Sequence, residues 1–114
     1  MSRIYLLFIL ISIHFALLGQ GISSVDPNEA EQGDELEITV TGENTTWTQS
    51  TNLLMFKQGS TTIYPNPQTI VNDSLISGYF NFYFFHPTGQ YDVTVEDINA
   101  GQEVTLLNGF ILNE

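Results

Sequence analysis

Apolar and polar residues alternate around Tyr91, Val93 and Val95, which are separated from one another by single polar side chains. Successive side chains of a β-strand point to opposite faces, so this pattern predicts a strand with one apolar face and one wet face. Pro87 and Gly89 predict a turn immediately before the strand. A sheet built from such strands packs one face against a core and leaves the other face in water.

The same reasoning, applied to the rest of the chain, predicts about seven short strands separated by turn residues. They cover residues 22–25, 35–41, 53–57, 61–64, 75–85, 90–96 and 104–112, with 68–71 as an edge segment. Residues 29–34 are expected to form a polar connection, and 42–52 a long polar loop. No helix is expected. Short strands with regular turn signals are typical of an antiparallel β-sandwich.

The strand predicted at 75–85 is strongly aromatic, and its phenylalanines and tyrosines fall on opposite parities. Phe80, Phe82 and Phe84 share the parity expected to face the core. Tyr79 and Tyr83 share the other parity, where their hydroxyl groups can stay in water. In these two neighbouring strands we expect Phe80, Phe82, Tyr91 and Val93 to be buried, and Asp92 and Thr94 to be exposed.

The N-terminal segment differs in composition from everything that follows it. Arg3 precedes an apolar run over residues 4–18, and small residues follow at 19–21. This order is typical of a secretory signal peptide, here predicted over residues 1–21 with cleavage after Gly19 or Gly21. A membrane anchor is the alternative, but a spanning helix needs ~20 apolar residues. The prediction leaves 22–114 as one exported domain, without membrane insertion, in the periplasm, at the cell surface or in the medium.

The charge of the predicted domain limits the classes of partner that it is expected to bind. Lys57 is its only Lys or Arg against thirteen Asp and Glu residues, a formal net charge of −12. Nucleic acids and anionic membrane surfaces are bound through basic groups, so neither is an expected partner. The chain contains no cysteine. The fold is therefore expected to need no disulfide, and a zinc site of the Cys/His type is excluded.

Four short motifs follow one another along the predicted domain. They are I-S-S-V-D-P at 22–27, L-E-I-T-V-T-G-E-N at 36–44 (after Gly33), P-T-G-Q-Y-D-V-T-V at 87–95 and N-G-F-I-L at 108–112. In order, they resemble the I-x-x-x-x-P, G…V-T-I-T-G-x-N, P-x-G-x-Y-D-V-x-V and N-G-F-x-I motifs of IPT/TIG-type immunoglobulin-like domains. The resemblance implies an immunoglobulin-like sandwich over residues 22–113. Domains of this type are similar to modules found in secreted and surface proteins of Bacteroidetes-type bacteria. Some of those proteins function in adhesion or in carbohydrate-related contexts.

No catalytic constellation is visible in the predicted domain. His86, its only histidine, precedes a proline, and no Gly-x-Ser-x-Gly elbow is present to supply a nucleophile. Most acidic residues fall on wet strand faces or in loops, which explains them without a glycosidase carboxylate pair. We therefore expect a protein that is not an enzyme and that needs no cofactor.

Acidic loops leave weak calcium binding open as an alternative, because calcium takes several converging oxygen ligands. One loop contains Glu96, Asp97 and Asn99 beside Glu103, and a second cluster contains Asp26, Asn28 and Glu29. Neither cluster has EF-hand spacing, and an ordinary solvated acidic loop is the other explanation for each of them.

Four aromatic residues are candidates for a binding surface: Trp47, Tyr64, Tyr79 and Tyr83. An exposed aromatic platform could stack against a sugar or another protein chain. The alternative for Trp47 is a lid folded over one end of the sandwich.

Short glycosylation patterns also occur. Asn44-Thr45-Thr46 and Asn72-Asp73-Ser74 fit the Asn-x-Ser/Thr pattern. Asp73-Ser74-Leu75 resembles the O-glycosylation signal of exported Bacteroidetes proteins, with Ser74 as the acceptor. Matches of three residues also arise by chance.

The sequence therefore favours a secreted, non-catalytic binding or adhesion module that contacts a protein or a glycan through loops or an exposed sheet face. A carbohydrate-binding or carbohydrate-active protein and a structural spacer of the cell envelope remain as alternatives.

Overall fold

The computed structural model describes residues 19–114, so the signal peptide predicted for residues 1–21 lies almost entirely outside the described part. The described residues form nine strands and one turn of 3₁₀ helix, Trp47–Gln49. The strands are β1 (Gly21–Asp26), β2 (Glu29–Glu31), β3 (Glu35–Glu43), β4 (Asn52–Gln58), β5 (Thr61–Ile63), β6 (Gln68–Asn72), β7 (Leu75–Asn81), β8 (Gly89–Asp97) and β9 (Gln102–Asn113). Within residues 19–114, no helix is long and apolar enough to cross a membrane.

The strands form two sheets, one of four strands in the order β1-β3-β7-β6 and one of five in the order β2-β9-β8-β4-β5. All neighbours are antiparallel except β2, which runs parallel to β9. The sheets pack against each other around a shared apolar core. The prediction of an all-β sandwich is confirmed.

Stacked aromatic rings occupy the centre of this core. Phe56 of β4 lies 4.3 Å from Phe80 of β7 and 4.6 Å from Phe110 of β9, measured between ring centroids. Phe82, just after β7, stacks on Phe110 at 5.2 Å. These rings come from both sheets, so each large side chain loses its water contact by packing across the sandwich. Phe80, Phe82, Tyr91 and Val93 are fully buried, as predicted.

The predicted position of Phe84 in the core is wrong. Strand β7 ends at Asn81, and residues 83–86 form a turn in which the His86 amide donates a hydrogen bond to the Tyr83 carbonyl (3.1 Å). The alternation of faces ends with the strand, so the parity of Phe84 no longer directs it inward. Its side chain is 79% exposed.

The predicted exposure of Thr94 is also wrong, since only 1% of it is accessible. Strand β8 is central, and the register places Thr94 on the outer face between Met55 and Thr105. The two threonine hydroxyl groups hydrogen bond to each other at 3.0 Å. An ion pair between Lys57 and Glu103 (3.6 Å) crosses the same outer face diagonally, since the two residues lie two positions from Met55 and Thr105 along β4 and β9. Asp92, expected to be exposed, is half-buried and accepts a hydrogen bond from the Asn108 amide (2.9 Å).

Two strands exceed the count of about seven expected from the pattern. Strand β6 is the expected edge segment and lies at the edge of the four-stranded sheet. Strand β2 lies in the segment predicted as a polar connection, and Ala30 is its single buried residue. Three residues are too few to show an alternating pattern, and β2 exists because β9 offers its edge to it.

Candidate ligand-binding groove

Three of the four aromatic residues proposed from the sequence line a single groove. Tyr64, Tyr79 and Tyr83 are 55%, 40% and 48% exposed. The groove has a volume of about 270 Å³. We call it the tyrosine groove; its lining is completed by Thr62, Ile63, Asn66, Asn81 and His86.

One wall of the tyrosine groove is the connection between β5 and β6. The Asn66 amide donates to the Tyr79 carbonyl at 2.8 Å, and the Tyr79 amide donates to the Pro67 carbonyl at 3.0 Å. Pro65 lies directly over Gly78, where a Cβ atom would stand 2.7 Å from the proline Cβ. Only glycine permits this close approach, which brings Tyr64 and Asn66 alongside β7.

Another part of the lining comes from the turn at residues 83–86. The Tyr83 amide donates to His86 Nδ1 at 3.0 Å, and Gln32 Nε2 donates to the Phe84 and His86 carbonyls at 3.1 and 2.8 Å. The Tyr83 and Phe85 rings stack with centroids 5.2 Å apart and planes at 7°. The turn is therefore held by the His86 side chain and by Gln32, which lies 50 or more positions earlier in the chain.

The Glu35 carboxylate lies beside the Tyr79 hydroxyl group. It accepts hydrogen bonds from Asn81 Nδ2 (3.0 Å) and, at the long distance of 3.4 Å, from the Tyr79 hydroxyl. Desolvation and the negative charge of Glu35 raise the pKa of Tyr79. The phenol therefore stays protonated at neutral pH and serves as a hydrogen-bond donor.

His86 contributes an imidazole edge to the groove. Burial lowers the pKa of His86, so the ring is neutral at neutral pH. Because Nδ1 accepts the hydrogen bond from the Tyr83 amide, the ring proton lies on Nε2. The groove thus presents aromatic faces, amides and hydroxyl groups, and neither Lys nor Arg is among its lining residues.

Trp47 does not join the three tyrosines, and its interpretation as part of an exposed platform is wrong. It is 3% exposed, and a Cβ atom on Gly42 would lie 2.7 Å from Trp47 Cη2. Asn52 Nδ2 donates to the Trp47 carbonyl at 3.0 Å. The register of β4 against β8 places Asn52 beside Asp97, at the opposite end of the sandwich from the tyrosine groove. Trp47 therefore closes this end of the core.

A second cavity, of about 550 Å³, adjoins Trp47. Its wall is mostly polar, and its single aromatic residue is the buried Trp47. Ligand sites combine apolar or aromatic faces with a few polar groups. The smaller tyrosine groove meets that description and the larger cavity does not.

In the first acidic loop, the Asp97 carboxylate has a structural role. Asp97 Oδ1 accepts hydrogen bonds from Ser50 Oγ (2.7 Å) and from the Asn99 and Ala100 amides (both 3.1 Å). The bond from Ser50, followed by those from the backbone amides, lowers the pKa of Asp97. Residues 19–114 contain no group of three or more His, Asp or Glu side chains that could hold a metal ion. We therefore propose no calcium site in either acidic cluster.

Ser74 lies exposed in the turn between β6 and β7. Its hydroxyl donates to Asn72 Oδ1 at 3.1 Å. The neighbouring Asp73 carboxylate accepts hydrogen bonds from the side chain and amide of Thr48, which lower its pKa. The serine is accessible, and its O-glycosylation stays a prediction.

Sequence reasoning missed the polar members of the tyrosine groove. Asn81 has the same parity as Tyr79 and Tyr83, so the pattern of β7 contained a signal for it. Asn66 had none, because the crossing of the β5–β6 connection over Gly78 places it there. Comparison of the chain with protein-family models, curated proteins and solved structures finds no match.

Proposed function

We propose that this chain is an exported, immunoglobulin-like, non-catalytic binding module that contacts its partner through the tyrosine groove. The strand order supports the immunoglobulin-like part. The four-stranded sheet corresponds to strands A-B-E-D of such domains, and β9-β8-β4 of the other sheet corresponds to G-F-C. In addition, β5 occupies the place of an added C′ strand, and β2 is a short second part of strand A.

A hydrogen bond near the start of β8 supports the same assignment. The Tyr91 hydroxyl donates to the Pro87 carbonyl, four residues earlier, at 2.6 Å. Immunoglobulin-like domains have a tyrosine corner at this place, where a Tyr near the start of strand F bonds back to the preceding backbone. Here the bond fixes the path between the turn at 83–86 and β8, and so helps to hold one wall of the groove.

The observation that carries the binding proposal is the convergence of three half-exposed tyrosines on one groove with rigid walls. A preorganised surface loses little conformational entropy when it binds a ligand. Tyrosine presents a large contact area with few rotatable bonds and is enriched where proteins recognise partners.

The non-catalytic part rests on how the titratable groups are used. Nδ1 of His86 accepts a bond from its own turn, and the Glu35 carboxylate accepts bonds from Asn81 and Tyr79. Nucleophilic catalysis pairs a base with a nucleophile within hydrogen-bond reach. Among residues 19–114, no serine, threonine or lysine hydrogen bonds to the His86 ring or to the Glu35 carboxylate.

Binding can be tested on immobilised panels of glycans and of proteins, with Tyr64→Ala and Tyr83→Ala as groove variants. Leu107→Ala is the matched control, because Leu107 is 71% exposed on β9, outside the groove. We expect a partner of the wild type to bind each groove variant about tenfold more weakly and the control unchanged. A partner bound equally by all four proteins would contradict the proposed site. Wild-type hydrolysis of a substrate that is lost in His86→Ala would contradict the non-catalytic part.

A further inference from the structure

We propose that the ligand of the tyrosine groove is a neutral carbohydrate, bound as a short stretch of a glycan chain. This inference rests on the proposed function and specifies the chemical class of its ligand. It combines the ring faces, the hydrogen-bonding groups and the charge around the groove.

The ring faces suit a sugar. A pyranose has apolar C–H faces and a polar edge of hydroxyl groups, so it stacks on an aromatic ring and hydrogen bonds at its rim. Tyr64 and Tyr83 come from two different segments that line the groove, and each leaves about half of its surface in water. Exposed aromatic rings in a concave site with a few polar groups are suited to bind a ligand of this mixed character.

The hydrogen-bonding groups of the tyrosine groove suit the hydroxyl groups of a sugar. Within residues 19–114, the structure shows no protein hydrogen bond from the Tyr64 hydroxyl, the Tyr83 hydroxyl or the Asn66 side chain. Tyrosine hydroxyl groups and the asparagine amide both donate and accept hydrogen bonds. A sugar hydroxyl also donates and accepts, so it can form a hydrogen bond with any of the three groups.

Charge favours a neutral glycan over an acidic one. Lys57, the single Lys or Arg in residues 19–114, pairs with Glu103 on the outer face of the five-stranded sheet and does not line the groove. A carboxylate or sulfate on the ligand would find no cation there and would meet Glu35 and a domain of net charge −12.

Charge within the groove also favours a sugar over a basic peptide. No Asp or Glu lines the groove, and Glu35, beside it, already accepts hydrogen bonds from Asn81 and Tyr79. A lysine or arginine bound within the groove would lose water without a carboxylate among the lining residues to pair with it. The net negative charge attracts cations to the surface of the molecule in general. The lining of the groove itself is suited to an uncharged ligand.

The test is a solution titration against three matched probe sets. The first contains neutral oligosaccharides of glucose, galactose, mannose and N-acetylglucosamine. The second contains the same chains with a uronic or sialic acid, and the third contains lysine-rich and arginine-rich peptides. We expect at least one neutral oligosaccharide to bind, with about tenfold weaker binding after Tyr64→Ala or Tyr83→Ala.

The conservative variants Tyr64→Phe and Tyr83→Phe separate stacking from hydrogen bonding. They keep the ring and lose the hydroxyl, so we expect their affinity to lie between wild type and the alanine variants. Leu107→Ala should bind as wild type, and circular dichroism checks that every variant is folded.

The other outcomes separate this inference from the proposed function. Groove-dependent binding of peptides or of acidic glycans, without binding of any neutral oligosaccharide, overturns the inference and leaves a binding groove. Binding that no groove variant weakens overturns both. The absence of binding to every neutral oligosaccharide overturns the inference.

Discussion

At the scale of single residues, aromatic side chains only two positions apart have opposite environments. Phe82 is fully buried and stacks on Phe110, whereas Phe84 is 79% exposed and lies over Gly33. The difference arises where the strand ends, because the last inward position is filled by Phe82 and the turn directs Phe84 out of the sandwich. The same substitution at both sites therefore separates core packing from surface contact.

Phe82→Ala is expected to lower the free energy of unfolding by about 3–5 kcal/mol, because it removes a ring from a close-packed stack. Phe84→Ala is the matched control and should cost less than about 1 kcal/mol, since most of that ring is already in water. Urea unfolding followed by tryptophan fluorescence of the buried Trp47 measures both values. Equal decreases in the free energy of unfolding for the two variants would contradict the prediction.

At the scale of elements, the turn at residues 83–86 is expected to respond to pH through His86. Its geometry depends on His86 Nδ1 accepting a hydrogen bond from the Tyr83 amide at 3.0 Å. Protonation of Nδ1 removes the acceptor, and burial already disfavours the charged ring. A group whose pKa is lowered by folding binds fewer protons in the folded state than in the unfolded state.

The midpoint of the His86 titration is therefore expected below 6.5, the ordinary value for histidine. The contribution of His86 to stability is fully present above about pH 6.5, the pKa of histidine in the unfolded chain, and it is lost as the pH falls through the folded pKa. NMR titration of the imidazole measures the midpoint, and the Tyr83 amide should shift with the same midpoint. His86→Asn retains an acceptor without a titrating group and should remove this pH dependence. A midpoint at or above 6.5 would contradict the prediction.

At the scale of the whole molecule, a side chain joins the two sheets where their edges meet. Gln68 of β6 accepts a hydrogen bond from the Leu54 amide at 2.6 Å and donates to the Asn52 carbonyl at 2.7 Å. Strand β5 pairs with β4 only at residues 56–58, so the earlier part of the β4 edge has no neighbouring strand. The Gln68 amide takes the place of that strand and satisfies two backbone groups.

Gln68→Ala is expected to lower the free energy of unfolding by about 2 kcal/mol, because a partly buried amide and carbonyl both lose their partner. Thr69→Ala is the control, since Thr69 is the exposed neighbour on the same strand and should change stability by less than about 0.5 kcal/mol. Thermal unfolding and amide hydrogen exchange at Leu54 measure the loss. Unchanged protection of the Leu54 amide in Gln68→Ala would contradict the proposed role.

The sequence by itself determined most of the strands and the buried faces of β3, β7 and β8. Alternation is a local property of an extended backbone, so Ile38, Val40, Phe80, Tyr91 and Val93 point inward wherever the strands lie. The turn residues between these strands are local as well, and they predict where one strand ends and the next begins.

Only the tertiary structure decided which distant residues meet. The burial of Thr94 depends on its neighbours Met55 and Thr105, and β2 depends on the edge of β9. The tyrosine groove depends on Pro65 crossing Gly78, which brings Tyr64 beside a strand that begins eleven residues later. Such contacts are absent from any local pattern, because they arise from the pairing and packing of elements that are separated along the chain.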